Sequence, residues 1–292
     1  MSSLAQLKTI EPSQEFYWGL SPEGFHQLSY LEWGDPRNPK VLICVHGLTR
    51  NSRDFDYLAR ALSKDYRVIC PDVVGRGDSD YIGSTLIYNF TQYISDMVAL
   101  IARIGAKEVN WLGTSMGGIV GMMMASFPKT PIKNLILNDV GMVVPSLAMN
   151  RIATYARNDV GFKSLEEARK YFQTIMPNFG IKERSQWDHI ARWGTRQDPE
   201  GTFKLAYDPA IGQAFLSASS NDIHLETFWH DLKCPVLVIR GQESDLLTPE
   251  IVEKMSYLQP QMEVVEIPGA GHAPALMSSE EIEGVSAWLN KT

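Results

Sequence analysis

The strongest constraint on this chain is a rhythm of two patterns. Short unbroken apolar runs recur at VLICVHG (41–47), YRVICPDVVG (66–75), EVNWLG (108–113), IKNLILNDV (132–140), PVLVIRG (235–241) and MEVVEIPG (262–269). VLICVHG is a continuous run of the kind buried on both faces of a parallel sheet, YRVICPDVVG supplies another buried strand, and the remaining runs read as strands. Between them lie segments with apolar residues at helical spacing: RDFDYLARALS, residues 85–104, MGGIVGMMMASF, TPEIVEKMSYL and SEEIEGVSAWLN. In 85–104 the apolar positions are Leu86, Phe90, Tyr93, Met97, Leu100, Ile101 and Ile104, and Gly105 follows where a helix C-cap belongs. Strand and helix in alternation predict an α/β fold, a mostly parallel sheet with helices on both faces. Ahead of it, EFYWGL and FHQLSYLEWG flank SPEG and predict a hairpin.

The rhythm breaks once. Residues 141–225 carry helix-like stretches (PSLAMNRIATYAR, SLEEARKYFQTIM, RSQWDHIARW) and no apolar strand run before 235. This predicts an all-helical cap inserted between 1–140 and 226–292, the two parts of one core domain. The net charge of −7 argues against nucleic-acid partners, which are bound through clustered Lys and Arg. No apolar run approaches the roughly 18–20 residues that cross a bilayer, and MSSLAQLKTIEPSQEF does not read as a signal peptide. A cytoplasmic protein with no membrane contact is the expectation. Cys44, Cys70 and Cys234 sit in or beside strand-like runs as small hydrophobes, without zinc-ligand spacing. Neither metal nor cofactor is expected.

Gly113-Thr114-Ser115-Met116-Gly117 is a complete G-x-S-x-G, preceded by a strand and followed by an apolar helix. A sharp strand-to-helix turn of this type presents a serine hydroxyl outward as a nucleophile. A serine needs a base, and His272 in PGAGHAP follows a strand, where glycines let the backbone present the ring at the sheet's C-terminal edge. His46 reads as a structural residue shaping the loop beside Ser115, and His26, His189, His224 and His230 as ordinary core or surface histidines. The base needs an acid to fix its tautomer. Asp245, just past PVLVIRG and 27 residues before His272, is the preferred candidate, with Asp139 at the end of LILND and Glu243 as competitors. An oxyanion needs preorganised donors, and the backbone N–H groups of Leu48 and Met116 are the candidates. In PDVVGRGDSD, Gly75 and Gly77 mimic a phosphate loop, but Asp80 replaces the third glycine and Asp78 adds repulsion, so no dinucleotide site is expected.

VHGL (45–48), PDVVGRGDS (71–79), GTSMGG (113–118), RGQESDLLTP (240–249) and PGAGHAP (268–274) occur in the order found in the α/β-hydrolase superfamily, which the chain resembles over roughly residues 15–290. The resemblance is to its serine-nucleophile, esterase- and lactonase-like branch with a helical cap. It implies an eight-stranded sheet and a Ser115–His272–Asp245 triad cleaving through an acyl-enzyme. Haloalkane dehalogenases and epoxide hydrolases of this fold carry Asp where this chain has Ser115, which disfavours both activities. Leu48-Thr49 after His46-Gly47 separates it from HGGG-type esterases.

The expected activity is hydrolysis of a small ester or lactone. The alternatives are carbon–carbon bond hydrolysis of a vinylogous diketone acid, where relatives often carry Asn in place of Thr114, and a slow-turnover ligand receptor. Arg50, Arg53, Arg151 and Arg157 are candidates to meet a substrate carboxylate. Met142, Met149, Met176, Trp187, Trp193 and Phe215 are candidates to line an acyl pocket or to form the core of the insert.

Overall fold

A computed structural model of the protein describes residues 11–218 and 221–292. The start of the stretch read for a leader, residues 1–10, lies outside the described residues, as do 219 and 220 of the insert. The main sheet has eight strands: β1 (Ser13–Ser21), β2 (Gly24–Trp33), β3 (Val41–Val45), β4 (Arg67–Pro71), β5 (Val109–Thr114), β6 (Ile132–Asn138), β7 (Val236–Gly241) and β8 (Glu263–Ile267). Their spatial order is β1-β2-β4-β3-β5-β6-β7-β8, antiparallel where β2 meets β1 and β4 and parallel throughout the rest. The predicted hairpin closes as expected, Ser21 opposite Gly24.

The apolar runs of the inner strands follow from burial on both faces, whereas β8, at the sheet edge, is exposed over residues 263–266. Along β3, Val41, Ile43 and Val45 enter one core while Leu42 and Cys44 enter the other. The first core is shared with helices α2 (Phe90–Ile104) and α3 (Met116–Ser126), the second with α1 (Asp56–Leu62) and α10 (Ser279–Leu289). Helix α2 starts later than the apolar spacing predicts, because the Asn89 side chain accepts the Gln92 N–H as an N-cap and leaves Leu86 outside and exposed. Gly105 ends it in the left-handed conformation, as expected.

Between β6 and β7 the chain forms α4 (Ser146–Ala156), α5 (Leu165–Ile175), α6 (Arg184–Trp193), α7 (Ala210–Ala218) and α8 (Glu226–Asp231). The all-helical expectation needs correction. Gly161–Phe162, Thr195–Gln197 and Phe203–Leu205 form a small antiparallel sheet, and Val143–Val144 pairs with Ile223–His224. Strands of two or three residues are too short to show an alternation in sequence. Ile152, Phe172, Trp187 and Ile190 of this segment join the α2/α3 core, so it shares one hydrophobic interior with the sheet. After β7 the chain continues through α9 (Pro249–Leu258) to β8. Among the described residues no helix is long and apolar enough to cross a membrane.

Candidate active site

The parallel register assembles the site. Thr114 at the end of β5 stands opposite Asn138 at the end of β6, and Asn138 opposite Ile239 of β7. The next residue on each of the first two strands, Ser115 and Asp139, therefore leaves the C-terminal edge side by side. Both turn sharply there, with φ of 51° at Ser115 and 56° at Asp139. For a non-glycine residue this region is sparsely populated, and its occurrence marks a position held by its surroundings. Around Ser115 the two motif glycines permit the turn. A Cβ on Gly113 would collide with the backbone of Gly117, and one on Gly117 with the Val45 carbonyl.

His272 joins the two strand ends. Its Nε2 lies 2.9 Å from Ser115 Oγ and its Nδ1 2.8 Å from Asp139 Oδ2. With Asp139 Oδ2 as acceptor, Nδ1 carries the proton and Nε2 faces the serine hydroxyl as acceptor. Asp139 has no solvent exposure. Its remaining capacity is used by the Gly241 N–H on Oδ1 (2.8 Å) and the Ser244 hydroxyl on Oδ2 (2.6 Å). A buried carboxylate supplied with donors in this way is held in one orientation.

Asp245, the carboxylate preferred from sequence, stands elsewhere. It receives Arg151 Nε at 2.6 Å and Nη2 at 2.8 Å, and both side chains are nearly half exposed. Burial pushes its carboxyl up, but the hydrogen bonds and charge of Arg151, with a smaller contribution from His272, outweigh that and hold it below the usual carboxylate range. The ring is therefore bound by the competitor, Asp139. The physical reason is that the strand ends of β5 and β6 are neighbours in register, while a cationic partner from α4 engages Asp245.

The loop after β3 lies alongside. A Cβ on Gly47 would stand 3.8 Å from Ser115 Cβ, so Leu48 and Met116 flank the serine from two sides, and both line the cavity that Ser115 enters. Arg76, fully buried, donates from Nε to the Leu48 carbonyl (2.8 Å) and from Nη1 to Val74 O and Tyr93 Oη. It pins the Leu48 turn, a role that the glycine-rich stretch around it gave no signal for in sequence.

His46 behaves as read. Its Nδ1 donates to Gly47 O (2.7 Å) and its Nε2 accepts the Val73 N–H (3.0 Å). Complete burial pushes its pKa down to about 3. The unfolded chain takes up this proton near the ordinary value of about 6.5, so the folded state loses stability as pH falls from there towards 3. In denaturant titrations His46→Gln is expected to flatten this slope by up to about 1.4 kcal/mol per pH unit. An unchanged slope would show that His46 does not resist protonation. The other histidines pair away from Ser115: His26 with Asp96, His189 with Arg53 O, His224 with Glu226 and His230 with Asp231.

The four candidate arginines separate clearly. Arg50 lines a pocket together with Ser115 and His272. Arg53 stacks over Trp193 at 4.0 Å, Arg151 holds Asp245, and Arg157 is exposed. Of the candidate pocket residues, Met149 and Phe215 line an apolar cavity at Ser115 and Met176 the Arg50 pocket, whereas Met142 and Trp187 are core.

The fold agrees with the comparisons. Residues 42–285 match the α/β hydrolase family, and the chain belongs to it. It is 43% identical over 282 residues to the 3-hydroxybutyrate-oligomer hydrolase of Cupriavidus necator, covering 94% of this chain and 96% of that one. It is 26% identical over 238 residues to the 2-(acetamidomethylene)succinate hydrolase of Mesorhizobium japonicum, covering 80% and 81%. Among solved structures it resembles an α/β hydrolase from Novosphingobium aromaticivorans with a TM-score of 0.87 and 32% identity over 97% of this chain and 99% of that one.

Proposed function

We propose that this chain is a serine hydrolase of short carboxylic esters, acting through Ser115, His272 and Asp139. The observation that carries this reading is the unbroken line of hydrogen bonds from Ser115 Oγ through His272 to a fully buried Asp139. His272 Nε2 takes the hydroxyl proton as Ser115 Oγ bonds to the ester carbonyl carbon. The N–H groups of Leu48 and Met116 receive the developing oxyanion. Collapse breaks the bond to the alcohol oxygen, which leaves with the proton from His272. Water then repeats the sequence on the acyl-enzyme, releasing the acid and restoring the serine. Asp139 stabilises the imidazolium in both halves. Residues 141–225 act as a cap, since Met149, Ile152 and Tyr155 of α4 line the space above the serine.

The apolar cavity beside Ser115, about 330 Å³, suits a short acyl chain. The likeness to a 3-hydroxybutyrate-oligomer hydrolase supports a substrate built from short hydroxy acids joined by esters. The test is a series of 4-nitrophenyl esters from acetate to dodecanoate, with labelling by a 4-nitrophenyl phosphonate read by peptide mass spectrometry. Turnover peaking at short acyl chains, with stoichiometric label on Ser115, is the expected result. Inertness across the series, or a label on another residue, would overturn the proposal.

A further inference from the structure

Ser115 and Leu48 border two chambers, both walled largely by apolar side chains, of which only one also carries charged groups. One is the apolar cavity, lined by Phe90, Met116, Ile119, Met149 and Phe215. The other is a small pocket of about 50 Å³ lined by Thr49, Arg50, Asp54, Tyr155 and His272. His272 borders only the second. In the mechanism proposed above, the alcohol must depart beside the nitrogen that protonates it, so the small pocket that His272 borders takes the alcohol half and the larger cavity the acyl half.

Arg50 brings a charged group to this small pocket. Its side chain is 6% exposed. Nε and Nη2 donate to both oxygens of Asp54 at 2.5–3.1 Å, and the guanidinium lies 5.3 Å from the Phe172 ring centroid. These contacts occupy one edge of the fork and fix its plane. Nη1, on the other edge, is buried with no hydrogen-bond partner among the described residues. A buried charged donor left unmade is costly, and a guanidinium edge matches a carboxylate in shape and charge. Among the described residues Asp54 is the only carboxylate lining the pocket, and both its oxygens already face the first edge. Tyr155 and His272 complete the titratable lining.

Resting on the ester-hydrolase reading, we infer that the alcohol half is itself a hydroxy acid whose free carboxylate is gripped by Arg50 Nη1, so that oligoesters are trimmed from the carboxyl end. In a 3-hydroxy acid only two carbons separate the ester oxygen from the carboxylate carbon, a reach that suits so small a pocket. The reaction is the hydrolysis already described and needs no further reactant. Arg50 acts here as a specificity residue.

The test compares 3-(butanoyloxy)butanoate with its neutral amide, 3-(butanoyloxy)butanamide, following butyrate release. The wild-type protein is expected to favour the free acid by about tenfold or more in kcat/KM, carried mainly by KM, since a site built to pair a polar group discriminates strongly against its absence. Arg50→Gln is expected to abolish the preference, and Arg50→Lys, which keeps the charge and loses the fork, to retain part of it. Equal rates on acid and amide for the wild type would overturn the inference, whatever the folding of the variants. So would an undiminished preference in a folded Arg50→Gln protein. Hydrolysis of 4-nitrophenyl butyrate in the same preparation separates the two readings. If that ester is cleaved and no carboxylate preference is found, only the inference falls. If neither ester type is cleaved, the ester-hydrolase reading falls with it.

Discussion

Ser115→Ala is expected to lower kcat on the best ester by about 10⁶-fold, because loss of the nucleophile idles the base and acid arranged to serve it. Alanine removes one oxygen from the turn and leaves Gly113 and Gly117 in place, so the melting temperature should stay close to that of the parent. The residual rate should still exceed that of water, since the donors on Leu48 and Met116 and the substrate pocket remain. Activity within tenfold of the parent would mean that the chemistry runs through another group, despite the 2.9 Å contact to His272. Initial rates with active-site titration, which corrects for trace contamination, decide it.

Asp139→Asn is expected to cost about 10⁴-fold in kcat, against a change of only a few fold for Asp245→Asn. An asparagine at 139 offers His272 either an amide N–H or a weaker acceptor. The ring is then driven toward the tautomer with its proton on Nε2, where it can no longer accept from Ser115. Asparagine tolerates the positive φ of this position, so the fold should survive and the loss should appear in turnover. Asp245→Asn instead weakens a half-exposed ion pair with Arg151, worth no more than about 1 kcal/mol at an exposed site. The reverse ranking would return Asp245 to the catalytic role and leave Asp139 a structural carboxylate. Both variants should be assayed at the pH of the parent's maximal rate.

These two variants mark where the sequence was legible and where it was not. The sheet could be read because each inner strand is apolar on both faces, and that follows directly from burial between two helical layers. Ser115 and His272 could be read because each needs a particular backbone setting, a glycine-flanked elbow and a glycine-rich loop after a strand. The acid carries no such local mark. Asp139 and Asp245 each follow the C-terminal end of a strand, and the strands are neighbours. What separates them is the in-register pairing of β5 with β6 and the arrival of Arg151 from 94 residues away. Neither is written in the residues around either aspartate. A local hint did exist in LILND, where the aspartate directly abuts its strand, whereas Asp245 comes four residues after its own. The short strands of the insert were illegible because they are too brief to show a period. Arg50 was one arginine among four until the Asp54 pairing and the orphan Nη1 set it apart.

The placement of the acid at 139 also bears on how such a chain is able to diverge. The proposed nucleophile, one proposed oxyanion donor and the proposed acid all fall within residues 109–139, a single strand–helix–strand unit, and His272 is then the one proposed group still to come. An acid on the loop after β7 would have to regain its place after every change in the length or packing of 141–225. With the acid upstream, only His272 has to regain its place when that stretch changes, and the β7 loop is left to engage it through the Asp245–Arg151 pair. Chimeras that trade this segment as a block should inherit the donor's substrate range on an unchanged engine.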